Sequence, residues 1–121
     1  MLQLQAHQRP GAGGDVGEVV LDGRDADVTS IEAARSKMEI LGDIAAAGYP
    51  RAVGPGVYDI HSPRIPSQEE VTELLTEAVR TIDVDQLWVN PDCGLKTRRY
   101  EEVTPSLEHL VEATRAVRAT L

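Results

Sequence analysis

The sequence is short of several residue types that mark particular classes of protein. Its one cysteine, Cys93, cannot form an internal disulfide, so we expect a reducing, cytoplasmic environment. Phe is absent and aromatic residues make up only 3% of the chain, so the core must be built from Val, Leu, Ile and Ala, which suits α/β layers. The chain contains no apolar run of about 18 residues and does not begin like a signal peptide. We therefore expect no membrane partner.

Basic residues are also outnumbered. The chain has 12 Lys and Arg against 20 Asp and Glu, which gives a formal net charge of −8. A surface of this sign repels the phosphates of nucleic acids and of anionic lipids, so we expect no nucleic-acid partner. With 121 residues the chain has room for one small domain, and its 41% hydrophobic content is typical of a globular protein.

Hydrophobic periodicity divides the chain into an irregular start and a regular remainder. Residues 1–14, "MLQLQAHQRPGAGG", are broken by Pro and Gly and predict an irregular N-terminal segment. Residues 15–121 form the regular part. Three strands are predicted: one over 26–32, one over 56–60 and one leading to "NPDCG". Four helices are predicted: a short one over 15–23, one from 38 to a C-terminal Gly48, one over 67–82 and one to the end of the chain. The helix over 67–82 begins with a Ser67–Glu70 capping box, and the last helix begins at Thr104 and Pro105. This β-α-β-α-β-α order predicts parallel strands.

Three polar residues occupy equivalent positions in this pattern. Glu32, His61 and Cys93 each follow a predicted strand, about one βα unit apart. Because the carboxyl ends of parallel strands meet at one edge, we expect the three side chains to share one rim. A carboxylate, an imidazole and a thiolate are zinc ligands, and they also suit thiol chemistry with acid–base assistance.

Each of the three residues also has a structural interpretation. A single cysteine is often an inert, buried small side chain. A histidine after a strand is more often structural than catalytic, and a glutamate there can cap the following helix. The pattern alone leaves both interpretations open.

Three stretches resemble a known family: "DADVTSIEAARSKMEIL" (25–41), "GPGVYDIHSPRIPS" (54–67) and "LWVNPDCGLKTR" (87–98). They resemble the C-terminal catalytic barrel of cobalamin-independent methionine synthase, and the likeness runs from residue 15 to residue 121. It implies an α/β fold in the form of a partial (β/α)8 (TIM) barrel, with about three βα units where a closed barrel has eight.

The resemblance also implies a chemistry. The family transfers a methyl group from 5-methyltetrahydrofolate to homocysteine, and a zinc ion binds the homocysteine thiol. By motif, Glu32 and Cys93 match zinc ligands and His61 matches the proton donor; no substrate-binding residue can be assigned. The family's other two ligands lie in a His-x-Cys stretch upstream of the glutamate. Here that region reads "AHQRPGAGG", in which His7 has no matching context.

We therefore expect a truncated region of a zinc-dependent methyltransferase that binds zinc weakly and is inactive alone. Three alternatives stay open: an inactive remnant, a subunit that completes a barrel with another chain, and a small binding domain without the chemistry. Strands cut from a barrel leave open edges and one uncovered side, so we also expect a homo-oligomer or an aggregation-prone chain. The residues expected to split between the two sides are Val28, Ile31, Val57, Ile60, Leu87 and Val89.

Overall fold

The computed structural model describes residues 2–3 and 26–121, and it has an α/β fold. Each of three short strands is followed by a helix, which confirms the predicted alternation. The strands are β1 (Leu2–Gln3), β2 (Val28–Ile31), β3 (Ala52–Pro55) and β4 (Trp88–Val89); the helices are α1 (Glu39–Ala46), α2 (Gln68–Thr81) and α3 (Tyr100–Arg118). Short 3₁₀ turns occupy Val84–Gln86 and Leu95–Thr97.

The strands that begin the three βα units are parallel neighbours in chain order. β2 pairs with β3 over four residues, from Val28 opposite Ala52 to Ile31 opposite Pro55. β3 meets β4 through two parallel bridges, Val53 with Leu87 and Gly56 with Asn90. Sequential parallel neighbours are the arrangement that consecutive βα units adopt in a barrel wall.

Within the segment 1–14, which was expected to be irregular, the structure describes Leu2 and Gln3. These two residues pair antiparallel with β4, Leu2 opposite Val89 and Gln3 opposite Trp88. A strand edge offers unpaired backbone groups, and a short extended segment can satisfy them without a side-chain signature. The rest of the segment and the helix predicted over 15–23 lie outside the described residues.

The second strand was predicted at 56–60 and lies instead at Ala52–Pro55. The prediction followed the β-formers Val57, Tyr58 and Ile60, which are indeed buried but belong to the loop after the strand. The strand itself contains the weak β-formers Gly54 and Pro55. Because Pro55 has no N–H, the pairing of β3 with β4 is reduced to the two bridges on either side of it.

Helix α2 agrees closely with its prediction. Ser67 Oγ accepts a hydrogen bond from Glu70 N at 3.2 Å, and Glu70 Oε2 accepts one from Ser67 N at 2.8 Å, so the capping box is confirmed. Arg64 Nη1 donates to both carboxylate oxygens of Glu70, at 2.7 and 2.8 Å. The Ser67 amide and then the Arg64 guanidinium lower the pKa of Glu70 below its ordinary value.

The last helix begins earlier than the sequence predicted. Thr104 and Pro105 were assigned to its start, but α3 begins at Tyr100 and contains Pro105 inside it. Arg99 N donates to Glu102 Oε2 at 3.2 Å, and acidic residues in the first turn suit the positive end of the helix dipole. Pro105 lies in the second turn, where its missing N–H removes one bond that would reach the carbonyl of Glu101.

Helices α2 and α3 pack against each other over the sheet. The buried side chains are Val71, Leu75 and Ala78 on α2 and Ser106, Leu110, Ala113, Thr114 and Val117 on α3. On α1 the predicted apolar positions Leu41 and Ile44 are buried, and Gly48 follows the helix with a positive φ of 68°. Within residues 26–121, no helix is long and apolar enough to span a membrane.

The uncovered side expected of a partial barrel is smaller than predicted. Four of the six residues that were expected to divide between two sides are buried: Val57, Ile60, Leu87 and Val89. The other two, Val28 and Ile31 on β2, are only half-buried. The apolar surface left open by these six residues is therefore confined to β2.

Candidate active site

The three predicted site residues follow the three parallel strands, as the sequence indicated. Glu32 comes directly after β2, His61 lies in the loop between β3 and α2, and Cys93 lies in the turn between β4 and α3. His61 is farther from its strand than predicted, because β3 ends at Pro55.

Two of these residues come together. His61 Nε2 lies 4.0 Å from Glu32 Oε1, and each side chain is about half exposed, at 53% and 54%. They line a shallow pocket of about 280 Å³ together with Ala33, Arg35, Ser36 and Asp92. An imidazole beside a carboxylate at the mouth of a pocket can exchange protons with solvent and with a bound molecule.

Cys93 does not join them in this pocket. Its side chain is exposed, and it is not among the pocket-lining residues. Across residues 26–121, no three His, Cys, Asp or Glu side chains cluster closely enough to hold a metal ion. The described residues thus do not complete a zinc site, and Glu32 and Cys93 as ligands stay a prediction. His7 lies outside the described residues.

The buried carboxylate of Asp92 is the feature that sequence reasoning missed. Asp92 is only 4% exposed. Its Oδ1 accepts a hydrogen bond from Ala33 N at 3.2 Å, and its own N–H donates to Tyr58 O at 2.9 Å. Burial raises the pKa of Asp92 above its ordinary value; the amides of Ala33 and Ala34 oppose this, and the nearby charges of Glu32 and Asp59 add to it.

Gly56 provides the space that Asp92 occupies. A Cβ built on Gly56 would overlap Asp92 Oδ1 and would lie 2.8 Å from Asp92 N. Any larger residue at position 56 would displace the carboxylate or the turn that carries it. The sequence does show the glycine of "GPG" and the aspartate of "NPDCG". It gives no sign that these two distant residues are in contact.

A second hydrogen bond crosses the middle strand nearby. Asn90 Nδ2, just after β4, donates to Ser30 Oγ in β2 at 2.9 Å. Ser30 is opposite Gly54 in the β2–β3 register, and Asn90 is opposite Gly56. Side chains from the two flanking segments thus meet across β3.

The loop that carries His61 is held at both ends. Asp59 Oδ1 accepts a hydrogen bond from His61 N at 2.9 Å, and Asp59 Oδ2 lies 3.6 Å from Arg35 Nε. At the far end, His109 Nδ1 in α3 is 2.7 Å from Pro66 O. Because a carbonyl can only accept, Nδ1 carries the proton in this contact.

Comparison with known proteins agrees with the motifs. Residues 16–116 match the profile of the family described as "Cobalamin-independent synthase, Catalytic domain". The proteins named 5-methyltetrahydropteroyltriglutamate–homocysteine methyltransferase include relatives in Mycobacterium tuberculosis, 59% identical over 107 residues (87% of this chain), and in Salinibacter ruber, 53% identical over 116 residues (96% of this chain). The matched region is 14% of the first relative and 15% of the second.

A solved structure shares the fold. A B12-independent methionine synthase from Shewanella sp. W3-18-1, in complex with selenomethionine, superposes with a TM-score of 0.69 at 25% identity, covering 79% of this chain and 28% of that one. The profile match over most of the chain and the high identity to these relatives both support one assignment. The chain belongs to the cobalamin-independent methionine synthase family.

Proposed function

We propose that this chain supplies one part of the methyl-transfer site of a cytoplasmic, zinc-dependent homocysteine methyltransferase, which uses 5-methyltetrahydrofolate and forms methionine. The single observation that carries the proposal is the 4.0 Å approach of His61 Nε2 to Glu32 Oε1 in an open pocket. Both residues occupy the positions that the family motifs assign to the site. The names of the relatives support the two substrates.

His61 is the proposed proton donor. In the transfer, the sulfur of homocysteine forms a bond to the methyl carbon while the bond from that carbon to N5 of the folate breaks. The electron pair of the broken bond stays on N5, so N5 must carry a proton to be a good leaving group. An imidazole can act as a general acid, and the half-exposed ring of His61 is accessible both from solvent and from the pocket that it lines.

Glu32 and Cys93 are the proposed metal ligands. Both side chains are exposed, so a metal ion can reach them. Within residues 26–121, however, no group of three His, Cys, Asp or Glu side chains is close enough to hold a metal ion. We therefore expect weak zinc binding by this chain, since a site with two protein ligands is far less robust than one with four.

The chain alone is expected to be inactive. Holding two substrates in reacting geometry can lower a barrier by roughly 7–11 kcal/mol in favourable cases. The pocket beside Glu32 and His61 is shallow and has room for only part of two such substrates. A second candidate function is that of a subunit completing a barrel with another polypeptide. It is favoured by β2, which among the described residues pairs with β3 alone.

A chimeric enzyme tests the proposal directly. Residues 16–116 would replace the matching segment of the Mycobacterium tuberculosis relative, and methionine formation from homocysteine and 5-methyltetrahydrofolate would be measured. We expect an active chimera that loses about 100-fold or more of its rate with His61→Ala, as for the loss of a general acid. Glu108→Ala is the control, because Glu108 is exposed on α3 and lies outside the proposed site. An inactive but folded chimera, or equal rates with and without His61, would contradict the proposal.

A further inference from the structure

We propose that Asp92 is a positioning residue that holds the loops bearing Glu32, His61 and Cys93 in one fixed arrangement. The inference rests on the proposed function, because this arrangement matters for methyl transfer only if the three residues act in it. The arrangement itself follows from contacts within the chain.

Asp92 joins three separate βα loops. Its side chain accepts the bond from Ala33 N, and Ala33 is the residue directly after Glu32. Its backbone N–H bonds to Tyr58 O in the loop that continues to His61. Cys93 is the next residue in the chain. One residue is thus bonded to the loops of two proposed site residues and is adjacent in sequence to the third.

A carboxylate is an unfavourable choice at a site this buried unless it accepts hydrogen bonds. Asp92 is 4% exposed, and the loop after β2 turns its amides toward it. Gly56, directly after β3, leaves the space that the carboxylate fills. An apolar residue could fill that space, but it could not accept the Ala33 amide bond. Asp92 is itself one of the residues that line the pocket beside Glu32 and His61, so its contacts lie at the proposed site.

Two variants separate the hydrogen bond from the charge. Asp92→Ala removes the acceptor, whereas Asp92→Asn removes the charge and keeps one acceptor oxygen, the other being replaced by NH2. Asp83→Ala is the matched control: Asp83 Oδ1 also accepts a backbone amide, that of Asp85 at 3.0 Å, but it precedes β4 rather than following it. Amide hydrogen exchange by NMR on the full, metal-free chain would report directly on Ala33.

We expect exchange at Ala33 to be about tenfold faster in Asp92→Ala, and near the wild-type rate in Asp92→Asn and Asp83→Ala, as for the loss of one hydrogen bond. An exchange rate in Asp92→Ala within twofold of wild type would overturn the proposal. If Asp92→Ala does not fold, as judged by circular dichroism, Asp92→Leu decides, because it fills the space without an acceptor: faster exchange at Ala33 supports the positioning role, and exchange within twofold of wild type overturns it.

A Co²⁺ titration adds a second measurement, because the affinity for Co²⁺ would not change if Asp92 only stabilised the fold. The absorption band of a cobalt–thiolate bond reports on Cys93, and we expect Asp92→Ala to weaken Co²⁺ binding about tenfold, with rescue by Asp92→Asn. Equal affinities in wild type and Asp92→Ala would overturn the positioning role. If wild type forms no cobalt–thiolate band, the metal part of the proposed function fails. The exchange rate at Ala33 alone then tests the positioning role of Asp92.

Discussion

His109 in α3 contacts the end of the loop that contains His61: its Nδ1 lies 2.7 Å from Pro66 O. Pro66 immediately precedes the capping box of α2, so this contact joins the start of one helix to the flank of the next. We expect His109→Ala to lower the unfolding free energy by about 1 kcal/mol, the usual net value of one hydrogen bond. Urea denaturation would measure it, with Glu108→Ala, an exposed neighbour on the same helix, as the control. Equal stabilities of the two variants would contradict the prediction.

The space at Gly56 leads to a second prediction. Gly56→Ala would push a methyl group into Asp92, and we expect it to destabilise the fold by about 1–3 kcal/mol, as overpacking does. Gly42→Ala is the matched control, since a Cβ at Gly42 in α1 meets nothing within 4 Å. That control should be neutral or stabilising by about 0.5–1 kcal/mol, because alanine favours a helix. Thermal melts of both variants would check the contrast, and a tolerated Gly56→Ala would contradict the close approach.

The lowered pKa of Glu70 leads to a prediction about pH. A carboxyl whose pKa is lower in the folded state contributes stability above its unfolded pKa, and that contribution is lost as the pH falls through the folded value. For Glu70 the ordinary value is 4.5. Wild type should therefore exceed Glu70→Gln in stability at neutral pH, and the difference should shrink as the pH falls below 4.5. Glu73→Gln, at an exposed position on the same helix, is the control. A difference that is constant with pH would contradict the role of the charge.

Zinc content is the subject of a fourth prediction. We expect the purified chain to hold less than one equivalent of zinc after dialysis against a strong chelator, and Cys93→Ala to hold less still. The reason is that, within residues 26–121, no three His, Cys, Asp or Glu side chains lie close enough together to hold a metal ion. Atomic absorption of both proteins would measure this. Full occupancy that survives the chelator would show that further ligands complete the site.

Self-association is the fifth prediction. β2 pairs only with β3 among the described strands, and its residues Val28 and Ile31 are half-buried. A strand edge of this kind can pair with a second copy, so we expect the sedimentation coefficient to rise with protein concentration. A constant monomer value over a wide concentration range would contradict the prediction, and would be consistent with the buried state of Val57, Ile60, Leu87 and Val89.

The features that sequence reasoning predicted best are those set by local chemistry. The capping box of α2 joins residues three apart, so Ser67 and Glu70 could be identified from the sequence itself. The start of α3 was missed because Pro105 was given more weight than the acidic first turn that begins after Arg99. Proline at a first helical position is common, but it is also tolerated in the second turn, where it removes a single bond.

Long-range contacts account for what the sequence could not reveal. The bond from Ala33 to Asp92 spans 59 positions, and the one from Asn90 to Ser30 spans 60. Such pairs have no periodicity, and they depend on strands that were themselves placed only approximately. The strand order and the rim positions of Glu32 and His61 followed from alternation of elements, whereas the approach of Asp92 to Gly56 required coordinates.

The contact between Asn90 and Ser30 has a consequence for how the sequence can change over time. Asn90 Nδ2 reaches Ser30 Oγ across β3, although β2 and β4 are not neighbours. A substitution that removes the Ser30 hydroxyl leaves the buried Asn90 amide with the carbonyl of Pro91 as its acceptor. In an alignment of relatives, positions 30 and 90 should therefore covary.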